Sequence, residues 1–200
     1  VLYNAVDTSI FYPKKTKTYK SILKLLVTGK MDGDNFYRIK NIIKAGQILK
    51  KQNIKFVINF AGRIDQKNLL KSSVLITELK LEKCINFLGP YTQEKAPEIY
   101  RNSDIYLIMN YLDPCPNTVI EAMSCGLPVV YSASGGLLEL VGYKAGVGIL
   151  VKENWESIGI SPEPKEITDS IIFVMGRLCD MSLAARKRAV EKFNIDKWIQ

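Results

Sequence analysis

The 200-residue chain contains no histidine, and its four cysteines (Cys84, Cys115, Cys125 and Cys179) include no C-x-x-C pair. Both absences argue against a zinc site, whose ligands come chiefly from clustered cysteines and histidines. Scattered cysteines fit reduced thiols in the cytosol better than a disulfide framework. No apolar run approaches the roughly 20 residues of a membrane span, and the N-terminus shows no signal-peptide pattern. Internal repeats and low-complexity linkers are missing as well. So are an aromatic-basic stripe and any nucleic-acid-binding motif, and no nucleic-acid partner is expected. The net charge of +8 could serve phosphate ligands, an anionic membrane or nucleic acid. Most of it is lysine spread through helical stretches, which reads as solvated surface.

What the chain does contain is a regular alternation of apolar strands and amphipathic helices. Strands are expected at Ser21–Gly29, Ile54–Ala61, Cys84–Gly89, Asp104–Asn110, from Val129 to Tyr131, and at Gly148–Lys152. Helices are expected at Tyr37–Lys51, Lys67–Lys80, Thr92–Asn102 with Thr92 as cap, Val119–Cys125, Pro162–Arg177 and Met181–Phe193. Glu153–Pro164 reads as a loop. The length suits one domain with a substantial core. Six strands alternating with helices predict an α/β fold, a Rossmann-like doubly wound parallel sheet.

Asp113–Val130 (DPCPNTVIEAMSCGLPVV) is the most informative stretch. Pro114 and Pro116 bracket Cys115 and forbid a continuing helix. Asn117 and Thr118 offer N-cap oxygens, and Gly126 ends the following helix. The unit is strand, loop, helix, strand, so the helix N-terminus lies at the carboxyl edge of the sheet, where open α/β sheets bind ligands. Its free N–H groups suit an anion such as phosphate. Glu121, one turn in, has two readings. Thr118-x-x-Glu121 is a capping box, or the carboxylate accepts hydrogen bonds from vicinal hydroxyls such as those of a ribose. Asp113, eight positions earlier, favours the second, because two acids framing the loop exceed what a cap needs.

The same stretch resembles the acid-x7-acid signature of retaining GT-B glycosyltransferases, especially family 4. Glu121-Ala122-Met123, Gly126 and Pro128-Val129-Val130 resemble the family's run immediately after that signature. Ser134-Gly135-Gly136 with Glu139, and Gly146-Val147-Gly148, match further family segments in order. Asn4-Ala5-Val6-Asp7, with Phe11 and Pro13, is similar to the start of the family's C-terminal domain. The resemblance covers about residues 1–150. It implies one half of a GT-B glycosyltransferase, a single C-terminal domain over residues 1–200 with the N-terminal acceptor domain absent from this chain. The Val1 start agrees with that expectation.

The resemblance implies a donor substrate, a UDP-, GDP- or ADP-hexose, with no cofactor and no metal. Gly29 would let backbone and ligand approach closely, and Lys30 would hold the diphosphate. The second basic role falls to Arg38 or Lys40. Near Gly89, Tyr91 would neighbour the base. The N–H groups of Asn117, Thr118 and Val119 would face the diphosphate, and Glu121 would bind the ribose. Asp113 would contact the transferred sugar. It stands where the family has Glu, and Pro114-Cys115-Pro116 replaces the usual Gly-Phe-Gly. Implied too are a glycan or lipid acceptor through the missing domain and a cytoplasmic place, with peripheral membrane association of the full protein left open. A non-catalytic sugar-nucleotide-binding domain and a basic nucleic-acid or membrane-surface module stand as alternatives.

Overall fold

The computed structural model describes residues 3–14, 22–151 and 160–198. Six strands, β1 (Leu23–Thr28), β2 (Phe56–Ala61), β3 (Ile85–Gly89), β4 (Ile105–Ile108), β5 (Val129–Ala133) and β6 (Gly146–Leu150), form one sheet in the order β3-β2-β1-β4-β5-β6. All five pairings are parallel. The helices are α1 (Tyr37–Lys51), α2 (Gln66–Glu78), α3 (Ala96–Arg101), α4 (Asn117–Ser124), α5 (Leu137–Val141), α6 (Pro164–Met175), α7 (Leu178–Lys192) and α8 (Ile195–Trp198). This is the expected Rossmann-like α/β architecture.

The apolar runs explain why the sheet is covered on both faces. Along β1, Leu25 and Val27 join a core on one face with Ile39, Ile42 and Ile171, while Leu26 points to the other with Tyr106, Val119 and Met123. All four residues of β4 are buried. The chain winds outward from β1 to β3, then returns to the opposite side of β1 as β4. Between the carboxyl ends of β1 and β4 the winding reverses, which opens the crevice that such sheets use for ligands.

Several boundaries move for identifiable reasons. The helix expected from Thr92 begins at Ala96, because the Thr92 carbonyl closes a turn with the N–H groups of Lys95 and Ala96 and Pro97 occupies the helix's first turn. Asp65 supplies the start of α2, its carboxylate accepting from Asn68 N at 2.7 Å. The sixth strand begins two residues early, at Gly146, opposite Val129. Most of the loop read at Glu153–Pro164 lies outside the described residues, as do Ser21 of the first strand and Lys152 of the last, and Pro164 itself opens α6.

Candidate functional site

The first wall of the crevice is the turn after β1. Gly29 has φ +115°, and a Cβ added there would meet open space. Neighbouring Gly62, at φ +138°, could not carry one, since it would lie 2.0 Å from the Gly29 carbonyl oxygen. The strand-end loops therefore touch backbone to backbone, with Gly29 N donating to Ala61 O at 3.1 Å. Asp65 and Asn68 clamp the loop from Met31 to Gly33. Asp65 accepts from Gly33 N at 2.6 Å, and Asn68 Nδ2 donates to Met31 O at 2.8 Å and Gly33 O at 2.9 Å. The two backbone N–H groups, that of Asn68 first, hold the Asp65 carboxyl below its ordinary value.

Lys30 is exposed on this clamped loop, and Arg38 reaches back to it, Nη1 donating to Lys30 O at 3.3 Å. The Arg38 guanidinium thus rests on the same loop at the end of β1 that carries Lys30. Lys40 does not join them. Helical register turns it to a groove between α1 and α2 with Phe36, Leu70, Lys71 and Val74.

The second wall is the loop after β4. Ser132 and Ser134 hydroxyls both donate to Asn110 O, the latter at 3.4 Å, and Leu112 N donates to Ser134 Oγ at 3.0 Å. Gly136 N donates to Asp113 O at 3.0 Å. A Cβ on Gly136 would stand 1.9 Å from Pro114 O, so the Gly135-Gly136 turn is what lets Asp113-Pro114-Cys115-Pro116 lie down. Asp113 is half-buried, its Oδ2 accepting from Asn110 Nδ2 at 2.7 Å, and Asn4 Nδ2 donates to Cys115 O at 2.9 Å. Gly136→Ala is expected to destabilise the chain by about 2–4 kcal/mol, since backbone must move. Thermal unfolding checks this, and a loss below about 1 kcal/mol would contradict it.

Helix α4 starts with Pro116 at its N-cap, and no side chain caps it. Of the three N–H groups expected to face an anion, that of Val119 is taken by Pro116 O at 3.1 Å. Those of Asn117 and Thr118 make no described backbone bond. The capping box is not formed. Glu121 instead turns inward, buried, with Oε2 accepting from Tyr100 Oη at 2.8 Å and Oε1 from Gln93 Nε2 at 3.2 Å.

Around it lies a cluster of phenols. Thr28 Oγ1 lies 2.7 Å from Tyr106 Oη and 3.4 Å from Tyr100 Oη, and Tyr91 stands close enough for its phenol to feel the Glu121 charge. Burial raises all three phenols above the ordinary tyrosine value, so they stay protonated. Tyr91 is half-buried beside Gly89, whose φ is +73° and whose missing Cβ faces open space. It also lines a cavity of about 530 Å³ with Leu88, Pro90 and Lys95. Sequence reasoning missed Gln93, Tyr100 and Tyr106. A tyrosine inside the apolar run of β4 was the available signal.

Glu139, on α5, accepts from the Tyr3 hydroxyl. Among the described residues no three of Cys, Asp and Glu converge as metal ligands would. A second cavity, about 710 Å³, lies at the other edge of the sheet between α7 and the turn before β6.

The site therefore pairs a cationic loop with a buried carboxylate across a helix N-terminus, at a topological switch point. Glycosyl transferases group 1 is the family that matches, over residues 14–159. An uncharacterised glycosyltransferase of Methanocaldococcus jannaschii is 31% identical over 121 residues, 60% of this chain and 30% of that protein. A probable sucrose-phosphate synthase of Thermosipho melanesiensis is 27% identical over 146 residues, 70% of this chain and 34% of that one. The chain thus spans about a third of the length of these relatives.

Among solved structures, Anabaena HepE in complex with UDP and glucose superimposes with a TM-score of 0.77 at 20% identity, covering 98% of this chain and 53% of that one. The C-terminal domain of LpcC, a glycosyl transferase group 1 family protein from Francisella tularensis, gives 0.74 at 19% identity, covering 95% and 99%. The chain belongs to the glycosyl transferases group 1 family, and its sheet is a Rossmann-like domain of the GT-B type.

Proposed function

We propose that this chain is the donor-binding domain of a nucleotide-sugar-dependent glycosyltransferase. The enzyme transfers a hexosyl group from a nucleoside diphosphate to a glycan or lipid acceptor held by a separate N-terminal domain. The observation that carries this is Glu121. Its carboxylate is withdrawn from its own helix and turned inward onto Tyr100, whose hydroxyl also stands 3.4 Å from Thr28 Oγ1 at the carboxyl end of β1, next to Gly29 and Lys30. HepE, solved with UDP and with UDP-glucose, supports a uridine nucleotide as the first donor to try.

In this reading Glu121 accepts from the ribose hydroxyls, with Tyr91 and Gly89 beside the base. Departure of the diphosphate puts negative charge on its oxygens. Lys30, Arg38 and the N–H groups of Asn117 and Thr118 stabilise that charge as it develops. They place cationic and dipolar charge at the diphosphate from the protein itself, which supports donor binding without a metal. Asp113 faces the transferred sugar, whose anomeric carbon gains oxocarbenium character as the bond breaks. By its acid-x7-acid spacing we assign the enzyme to the retaining, family 4 type.

An assay of UDP release and sugar transfer compares this chain with a chain that includes the acceptor domain. The expected result is donor binding with little transfer here, and transfer with retained anomeric configuration there. Robust transfer by these 200 residues alone would overturn the assignment.

A further inference from the structure

Glu121 is only 7% exposed, and a carboxylate so placed must find partners inside the protein. It finds Tyr100, a wholly buried ring from α3, and Gln93, an exposed side chain from the loop after β3. A carboxylate offers about four acceptor positions. One is filled on each oxygen, which leaves one on each, a match for the two O–H donors of a vicinal diol. Tyr100 also stands 3.4 Å from Thr28 Oγ1, and Thr28 directly precedes Gly29 and Lys30. The aim of the carboxylate is thereby tied to the end of β1. Burial keeps the Tyr100 phenol protonated, so the hydroxyl serves as a fixed donor.

We propose that Tyr100 is a positioning residue that aims Glu121 at the 2′- and 3′-hydroxyls of the donor ribose and so makes the site prefer ribonucleotides to 2′-deoxyribonucleotides. The inference rests on the donor-site reading of Glu121 above. A Tyr100 with a merely structural role would leave the ribose-to-deoxyribose ratio unmoved.

Tyr100→Phe removes the donor oxygen and keeps the ring's edge contacts with Phe11 and Tyr106. The test is calorimetric titration with UDP and 2′-deoxy-UDP, and with the corresponding guanosine and adenosine pairs. It uses the unaltered chain, Tyr100→Phe, Gln93→Ala and Glu121→Ala, each checked for native thermal unfolding. The unaltered chain is expected to prefer the ribonucleotide by about tenfold, the loss of one good hydrogen bond. In Tyr100→Phe the ribonucleotide should weaken by a similar factor, and the ratio should fall to within about threefold. Gln93→Ala, an exposed change that leaves the core intact, should lower the ratio less.

If Glu121→Ala weakens binding while Tyr100→Phe and Gln93→Ala leave the ratio unchanged, the positioning role is overturned and the donor reading stands. If Glu121→Ala changes nothing, or no pair binds the unaltered chain, both are overturned.

Discussion

Lys30→Ala should lower kcat of the intact transferase by about 10²–10³-fold while changing KM little, the loss seen when one preorganised charge-stabilising group is removed. The reasoning starts from where charge is and where it goes. A bound sugar nucleotide already carries charge on its diphosphate, but bond cleavage adds more on the leaving oxygen. A cation that tightens its contact only at that stage lowers the barrier without deepening ground-state binding.

Lys30 is suited to this. Its loop is pinned by Asp65 and Asn68, so the backbone is fixed, while the exposed ammonium can follow the developing charge. Arg38 is partly committed, bonding Lys30 O and Tyr37 Oη at 3.3 Å each, and its loss should be milder. Lys30→Arg should recover much of the activity, since a guanidinium can grip the same oxygens in bidentate fashion. Steady-state kinetics of the intact enzyme reads the split. A rise in KM with kcat unchanged would show that Lys30 contributes uniform binding only.

Arg186→Leu should cost about 3 kcal/mol of stability, more than loss of an ordinary surface charge. The guanidinium on α7 donates to Phe11 O at 2.8 Å, Ser124 O at 2.9 Å and Thr8 O at 3.1 Å. One side chain thus ties the N-terminal segment to the carboxyl end of α4, where the helix dipole favours a cation. Burial pulls its pKa down from the ordinary arginine value, yet no carboxylate is among these partners. Leucine would fill part of the volume and leave three carbonyl oxygens without their donor.

Because α4 carries Glu121, the same change should loosen the candidate site. For a domain of this size 1 kcal/mol corresponds to about 2–4 °C, so melting should fall by about 6–12 °C. Arg186→Lys, keeping the charge but not the planar fork, should lie between. A shift within about 2 °C for Arg186→Leu would refute the assigned role.

These two residues also mark how far the sequence could be read. The place of Lys30 at the end of β1 was legible because its context is local: an apolar strand, a glycine, then a cation. The strands were legible for the same reason, and their run of buried residues needs no knowledge of the partner strand. Arg186 was not legible, because its partners lie at positions 8, 11 and 124 and only folding brings them together.

Glu121 falls between. The local pattern offered a capping box, and the choice against it is made by Tyr100 and Gln93, 21 and 28 residues upstream. The N–H groups at the start of α4 show the reverse case. Three were expected to be free, but a tight turn at Pro116 consumes that of Val119. Helical phase likewise decides against Lys40. It stands two positions on from Arg38, and that is enough to turn it from the crevice to the α1–α2 groove.

The most direct test of a donor site built on Glu121 is calorimetric titration of this chain with UDP, GDP and ADP, with and without chelator, on the unaltered protein and on Glu121→Ala. One nucleotide should bind in preference to the others, undisturbed by chelator. Glu121→Ala should weaken it by about 1–3 kcal/mol, the cost of leaving ribose hydrogen bonds unmade. Equal affinity in the two proteins would contradict the assignment of Glu121 and of the switch-point crevice as the donor site.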